Sequence, residues 1–496
     1  MIAARRFFAR LAAAFLMGFL TSQAQTIPSY SAANLVLGQL LFTTNASASP
    51  ANATSLATPG GVAVDPVSGK VFVADTGNNR VLRYSSQTAL ASGAIPEIVI
   101  GQLNFSGSLP NQTGSPIPSQ TSLSGPNDVF VDAAGRLWIA DTANSRVLLF
   151  ENAANLFNTP AADRVFGQLD FGSAVIPPTN SGTLALPAGV CVDSAGTLWV
   201  ADTNNHRVLG WKNAATLSNG TAASRVLGQP NFTSSIAAIS PQSGLYKPTG
   251  VAADATHVWV ADSGSNRVVM YANFPTINGA PASLVLGQKD YTTSTPTTSA
   301  IGMTTPTSVA LSGSTLFVAD SGNNRVLSFA AAADLDKDAP ATGVIGQASY
   351  TASSSGLSSQ RIALSIGAPA VSHLGVDAAG DLFAADSLNN RILRFPATPA
   401  PTPTPAPAAP PTVAIKGKKN FNTSKSAYTL KGTAAAGAGI RRVSYNLNRQ
   451  GYLFAKGTTS WKAKIHLDAG RNKIVVNSVA IDGTVSAPKS VIIYRQ

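Results

Sequence analysis

Residues 71–84 read VFVADTGNNRVLRY, and the chain repeats this stretch as LWIADTANSRVLLF from Leu137, LWVADTNNHRVLGW from Leu198, VWVADSGSNRVVMY from Val258, LFVADSGNNRVLSF from Leu316 and LFAADSLNNRILRF from Leu382. In all six copies an Asp (Asp75, Asp141, Asp202, Asp262, Asp320, Asp386) stands five residues before an Arg (Arg80, Arg146, Arg207, Arg267, Arg325, Arg391), and successive Asp positions lie 58 to 66 residues apart. Self-similarity at a period near sixty fixes the architecture before any local propensity does. Each copy is two apolar, aromatic-rich strands around a polar Thr/Ser–Gly/Asn–Asn cluster, the pattern of a strand–turn–strand unit. One aromatic keeps its place in the first strand (Phe72, Trp138, Trp199, Trp259, Phe317, Phe383) and another closes the second (Tyr84, Phe150, Trp211, Tyr271, Phe329, Phe395). Strands apolar on both faces belong between two packed neighbours. The Asp and Arg flank the turn at a spacing that lets carboxylate and guanidinium share hydrogen bonds across it, and six equivalent pairs read as structure rather than catalysis.

Two more strands complete the unit. A short one precedes each core motif: GVAVD from Gly61, DVFVD from Asp128, GVCVD from Gly189, GVAAD from Gly250, SVALS from Ser308 and HLGVD from His373. Rich in Gly, Ala and Val, these suit strands crowded about an axis. The other ends in Gly-Gln: LVLGQ from Leu35, IVIGQ from Ile98, RVFGQ from Arg164, RVLGQ from Arg225, LVLGQ from Leu284 and GVIGQ from Gly343. Four strands repeated six times predict an all-β, six-bladed β-propeller. The phase of the repeat adds a detail: a Gly-Gln strand comes before any core motif and none follows Phe395. Leu35–Gln39 is therefore expected to complete the blade built from residues 371–395, closing the ring and removing an exposed edge. The long polar connections that follow each Gly-Gln fall on the Asp–Arg turn face, and long connections without structure of their own often carry function. Inserts such as NAANLFNTPAADR and NAATLSNGTAASR fall on the opposite face and each suit a helical turn.

The pattern P-x-G-V-A-V-D followed by V-A-D-T-x-N-N-R-V resembles the NHL repeat, over residues 34–396 and in register in every copy; Ser312 replaces the usual Asp in the fifth. The resemblance implies an NHL-type six-bladed propeller. It leaves function open, because that family includes RNA binders, peptide-amidating lyases and interaction scaffolds.

Outside the repeat, MIAARRFFAR followed by LAAAFLMGFL is a basic and then apolar run too short to span a bilayer, and Ser22-Gln23-Ala24 offers small residues for cleavage: residues 1–24 are expected to be an export signal. Arg5-Arg6-Phe7-Phe8-Ala9-Arg10 also resembles a twin-arginine signal, so the route stays open. The predicted destination is the periplasm or the cell surface. After the propeller (26–396), ATPAPTPTPAPAAPP makes 397–411 a stiff Pro-rich linker. From 412 to 496, strand-like runs alternate with Gly, Asn and Asp turns, which suits a small antiparallel sandwich, and these runs resemble bacterial Ig-like domains.

Charge divides along the same line. The chain carries 35 Lys and Arg against 23 Asp and Glu, yet the segment from Thr412 alone holds 15 basic residues against Asp468 and Asp482, leaving the propeller net acidic. Nucleic-acid binding by the propeller is excluded on this count. In the tail segment, period-two alternation puts Trp461, Ala463, Ile465 and Leu467 on one face, with Lys462, Lys464 and His466 on the other. With Arg442, Lys416, Lys418 and Lys419 these predict a positive surface for an anionic envelope polymer or lipid.

Chemistry-bearing residues are sparse. The single cysteine, Cys191, sits in an interior strand and reads as an inert thiol. The four histidines are scattered, with His206 at a turn and only His373 near the axis, and Glu occurs only as Glu97 and Glu151. No catalytic set is expected and no cofactor, with one opening: Asp65, Asp132, Asp193, Asp254 and Asp377 end inner strands and in principle ring a channel calcium, although capping their own turns is the simpler role. The expectation is an exported, non-enzymatic scaffold binding an extracellular protein, peptide or glycan on its long-loop face. The alternative is a metal-dependent, lactonase-like hydrolase or lyase working at the channel mouth.

Overall fold

A computed structural model describes residues 26–397 and 411–496, apart from 175, 177, 239–240, 273–274, 368–369, 437–438, 449, 451 and 481–484. The segment read as an export signal and nearly all of the Pro-rich stretch lie outside the described residues. The chain divides after residue 400 into two compact units.

The first unit holds six four-stranded antiparallel sheets. Blade one runs from the axis outward as Val62–Val64, Lys70–Asp75, Arg80–Ser86 and Ile98–Ile100, and each later blade repeats that order. Blade six takes Leu374–Val376, Leu382–Asp386 and Arg391–Phe395 from the end of the repeat array, and its outer strand is Leu35–Leu37, with Leu35 opposite Arg394 and Leu37 opposite Ile392. The ring therefore closes as the phase of the repeat predicts.

The period-two strand explains how the core is distributed. Val71 pairs with Tyr84, so those two share a face, and Phe72 points the other way. Phe72 enters a cluster with Leu137 and Phe150 of the next blade, while Tyr84 packs with Leu35 and Phe383 of the preceding one. The same alternation recurs around the ring, and each of six apolar layers is shared by two adjacent blades. Four tryptophans, Trp138, Trp199, Trp211 and Trp259, are fully buried in these layers. Full burial of each large side chain contributes roughly 1.5–3 kcal/mol, so the blades are held mainly by their neighbours. The inserts on the far face do form helical turns, at Ala153–Asn155, Ala214–Thr216 and Ala332–Asp334.

The second unit is a β-sandwich. One sheet has Thr412–Lys416, Ala427–Ala435 and Ser460–His466; the other has five strands, ordered Asn420–Thr423, Lys489–Arg495, Gly470–Ala480, Ile440–Leu447 and Tyr452–Phe454. Val413, Leu430 and Trp461 from the first sheet pack on Val443, Ile474 and Val491 from the second. One pairing departs from the expected antiparallel pattern: Asn420–Thr423 runs parallel to Lys489–Arg495. After Lys416 the chain turns at Gly417, whose φ of +111° disfavours any side chain, and crosses to the other sheet.

Candidate functional site

The Asp–Arg turn builds the face on which the channel opens. Each is a three-residue 3-10 turn closed by a left-handed residue, Asn79, Ser145, His206, Asn266, Asn324 or Asn390. In blade two, Asp141 Oδ2 accepts from Arg146 Nε and Asn144 Nδ2, both at 2.7 Å, and Oδ1 accepts from the Ser124 N–H at 2.7 Å. All six ion pairs span 2.6–2.8 Å between side chains with no solvent exposure. Burial raises the pKa of each carboxyl, and the guanidinium and hydrogen-bond donors oppose it.

The guanidinium also reaches outward, which the turn motif alone does not reveal. Arg146 Nη1 donates to the Phe171 carbonyl at 2.6 Å, and Nη2 to those of Ser119 and Ser122 at 3.0 and 2.9 Å. Each Arg thereby pins the long connections on both sides of its blade. The Gln of each Gly-Gln pair adds another tie: Gln102 Nε2 donates to Asn79 O at 2.9 Å and to Leu109 O at 2.8 Å. The elaborated face is thus a hydrogen-bonded surface rather than a set of loose loops.

The left-handed residue links blade to blade. Its side chain accepts an N–H from the next blade's connection: Asn79 from Gly125, Ser145 from Leu186, His206 from Lys247, Asn266 from Thr305, Asn324 from Leu364 and Asn390 from Thr58, at 2.7–3.3 Å. His206 is thus a turn residue, as its position in the motif suggests. Burial, then the Lys247 charge, lower its pKa, so Nδ1 is free to accept at neutral pH.

These turns wall a funnel of about 860 Å³. Small polar side chains and backbone line most of it, with Tyr246, Lys247 and Leu186 on one side and a short hairpin, Ile366–Gly367 with Ala370–Val371, on another. The His206 and Tyr246 rings meet at 5.3 Å between centroids, and Lys247 Nζ lies 6.0 Å from the Tyr246 ring. The hairpin is tethered across the axis, its Val371 N–H donating to Asn127 Oδ1 at 2.9 Å.

Beneath the funnel lies a polar partition. At the first inner-strand position, Gly61, Gly189 and Gly250 leave room for the larger Asp128, Ser308 and His373; a Cβ on Gly61 would stand 2.6 Å from Asp128 Oδ1. Asp128 Oδ2 accepts the Val190 N–H at 3.0 Å and faces His373 Nδ1 at 3.6 Å, so two residues far apart in sequence meet on the axis. Both are buried, and His373 Nε2 has no hydrogen-bond partner. Burial drives the Asp128 pKa up to about 7 and the His373 pKa down to about 3, which favours the neutral forms of both. Past this partition the channel continues as a cavity of about 290 Å³ lined by inner-strand Val, Ala and Leu, with Cys191 among them. Burial pushes that thiol's pKa well up, as expected of an inert cysteine.

The five aspartates at the inner-strand ends are not brought together. Each is engaged by its own turn: Asp132 accepts from the Ala134 N–H, from Arg136 Nε at 2.8 Å and from Trp138 Nε1 at 2.9 Å, and Asp193 from the Ala195 N–H and Trp199 Nε1. Asp65 bonds the Val67 N–H and Ser68, Asp254 bonds Thr256 and His257, and Asp377 accepts from the Ala379 and Asp381 N–H groups. Among the described residues no group of three or more His, Cys, Asp or Glu could hold a metal ion.

In the second unit, Lys462, Lys464 and His466 are exposed while Trp461, Ala463 and Ile465 are buried. Lys416 shares their sheet, and Lys418 and Lys419 are exposed just beyond it. Arg442 does not join them: it belongs to the five-stranded sheet, with its guanidinium carbon 5.2 Å from the Phe454 ring. The alternation rule gives a residue's face within its own strand, and strand membership then sorts the charges onto two different sheets.

The NHL repeat family model matches residues 56–84 and 184–211. The matches fall on copies one and three, and the other four copies share their strand order and Asp–Arg turn. Similar solved structures include a streptogramin B lyase, 12% identical over 71% of this chain and 96% of that one, with a TM-score of 0.39. Virginiamycin B lyase from Staphylococcus aureus is 12% identical, over 68% of this chain and 94% of that one, at a TM-score of 0.37. A nidogen/laminin complex is 18% identical, over 58% and 83%, at a TM-score of 0.35. Likeness at this level carries no assignment of activity. No curated protein matches the chain.

Proposed function

We propose that this propeller, with its matches to the NHL repeat, is an exported binding scaffold that takes a short peptide or glycan segment in the funnel on its turn face, while the basic sandwich attaches it to anionic envelope material. The observation carrying the first part is the funnel itself, a concavity of about 860 Å³ within the range of small-ligand sites. Its wall offers hydrogen-bonding groups and one aromatic–cation pair, Tyr246 with Lys247. Such a lining suits recognition of neutral or weakly acidic polar ligands. The imidazole nearest that wall, His206, is committed to its turn, with Nδ1 accepting the Lys247 N–H. Export rests on the N-terminal sequence, and attachment on the excess of lysine and arginine after Thr412.

The test is a glycan and peptide array probed with the full chain, followed by titration of each hit. Ala143→Trp, which fills the funnel from its wall, is expected to abolish saturable binding, and Tyr246→Ala to weaken it roughly tenfold, the loss of one aromatic contact. Hits that bind the Ala143→Trp protein unchanged would move the site off the funnel.

A further inference from the structure

The register of the three-stranded sheet assembles a feature that no single strand reveals. Lys416 stands directly opposite Lys431, and Lys431 directly opposite Lys462. Lys462 in turn pairs with Lys456, the two exchanging N–H donors at 2.8 and 2.9 Å. Directly paired residues project to the same side of a sheet, so four ammonium groups form one ladder across it. All four lysines are exposed, and they line a recess of about 410 Å³ together with Gly457, Ser460 and the edge of Trp461.

Like charges placed directly opposite one another destabilise a sheet. Here the ladder has no internal relief: among the described residues none of its lysines is within ion-pair distance of a carboxylate, and Asp468 is bonded to Asn448 instead. Asp482 lies outside the described residues. An external anion is what the arrangement lacks. The neighbouring rows add Lys464 and His466, both exposed. The unit's exposed large apolar residues, among them Phe454, Leu453 and Tyr494, belong to the other sheet, so the lysine face has no apolar wedge for a bilayer.

We infer that this ladder binds a linear acidic polysaccharide carrying a carboxylate on every sugar. Adjacent strands lie about 4.8 Å apart, so the ladder presents one positive charge per strand spacing. That spacing is close to the repeat of an extended pyranose chain, and one uronate per sugar then meets one lysine per strand. The inference deepens the attachment role proposed above and rests on it.

The experiment uses the full chain and three probes: alginate, with a carboxylate on every sugar; hyaluronate, with one on every second sugar; and phosphatidylglycerol vesicles. One variant carries Lys416, Lys431, Lys456 and Lys462 as Gln. A control of equal charge carries Lys425, Arg471, Lys473 and Lys489 as Gln, removing exposed charges that lie outside the ladder. Alginate binding at low salt is expected to fall tenfold or more in the ladder variant and less than about threefold in the control, with weaker wild-type binding to hyaluronate than to alginate. Unchanged melting temperatures would show that both variants fold, and a single Lys431→Gln change, in the middle of the ladder, is expected to cost about threefold. Equal losses in the two variants would overturn the ladder and leave general electrostatic attachment standing. Equal affinity for hyaluronate would overturn the spacing argument, and binding to vesicles but not to alginate would replace the polymer with a membrane. No binding to any of the three probes would remove the attachment reading itself.

Discussion

Replacing Arg146 by Met tests whether the recurring geometry of the turns holds the elaborated face together. The substitution keeps most of the buried volume but removes the Nε donor to Asp141 and the Nη donors to Phe171, Ser119 and Ser122. Asp141, with no solvent exposure, is left as a buried carboxylate with only the Asn144 and Ser124 donors. Removing one partner of a buried pair costs about 3–5 kcal/mol; the released carbonyls of Phe171 and Ser119 lie near solvent and recover part of their loss, whereas that of buried Ser122 does not. A destabilisation of about 4 kcal/mol is therefore expected in urea or thermal unfolding, a large fraction of the stability of an ordinary domain. Adding Asp141→Asn removes the stranded charge while keeping an acceptor for Ser124, and the double variant is expected to regain about 1–2 kcal/mol. Because Ser119 and Ser122 lose their tie, limited proteolysis of Arg146→Met under native conditions is expected to cut between residues 112 and 121 before the rest of the propeller. A loss below about 1 kcal/mol, or a double variant less stable than the single, would refute this account.

Other outcomes follow from the same structure. Deleting residues 26–40 removes the outer strand of blade six and its pairing with Arg391–Phe395, and should lower the melting temperature sharply; an unchanged melt would mean the ring does not depend on that closure. In Gly189→Ala the new Cβ would stand 2.3 Å from the Thr249 carbonyl on the neighbouring inner strand, so a loss of about 1–3 kcal/mol is expected from overpacking against backbone. The axial pair makes a pH prediction. Between about pH 4 and 6.5 the folded Asp128 holds a proton that the unfolded one has lost, so its contribution falls as pH rises; the folded His373 lacks a proton that the unfolded one binds, so its contribution rises with pH. The two slopes oppose each other. His373→Asn removes the rising one, and its stability measured against the wild type should decline by up to about 1.4 kcal/mol per pH unit across that window; parallel stability profiles would rule the pair out as the source.

The blades were legible because each repeats a local grammar. The aromatic positions, the Asp–Arg spacing and the early Gly-Gln strand are all written within single copies, and the phase of the repeat alone yields Leu35–Leu37 as the closing strand. What the guanidinium does beyond its own turn was not legible. It donates to backbone carbonyls of Phe171, Ser119 and Ser122, and any residue type supplies those. The axial pair left a fainter trace. Asp128 and His373 occupy a repeat position where three other copies have Gly, and departures at a crowded position mark where the side chains meet. The lysine ladder depends on how strands separated in sequence are set against each other, which alternation within Trp461–Leu467 does not determine. Arg442 is exposed as alternation predicts, but on the other sheet, which alternation within its strand likewise leaves open.

The closing blade imposes an order on the birth of the molecule. Asn34 and Arg394, which are hydrogen-bonded in the finished ring, stand 360 residues apart in the chain. The first strand to emerge therefore waits for the last, and until then both it and the open side of blade six offer unpaired backbone. Two immature copies in contact at that stage have a ready exchange, the early strand of one completing the ring of the other. Crowded synthesis or slow release should thus leave strand-swapped dimers as the characteristic misassembled product, separable by size from the monomer and built from contacts that are native in every respect but their chain of origin.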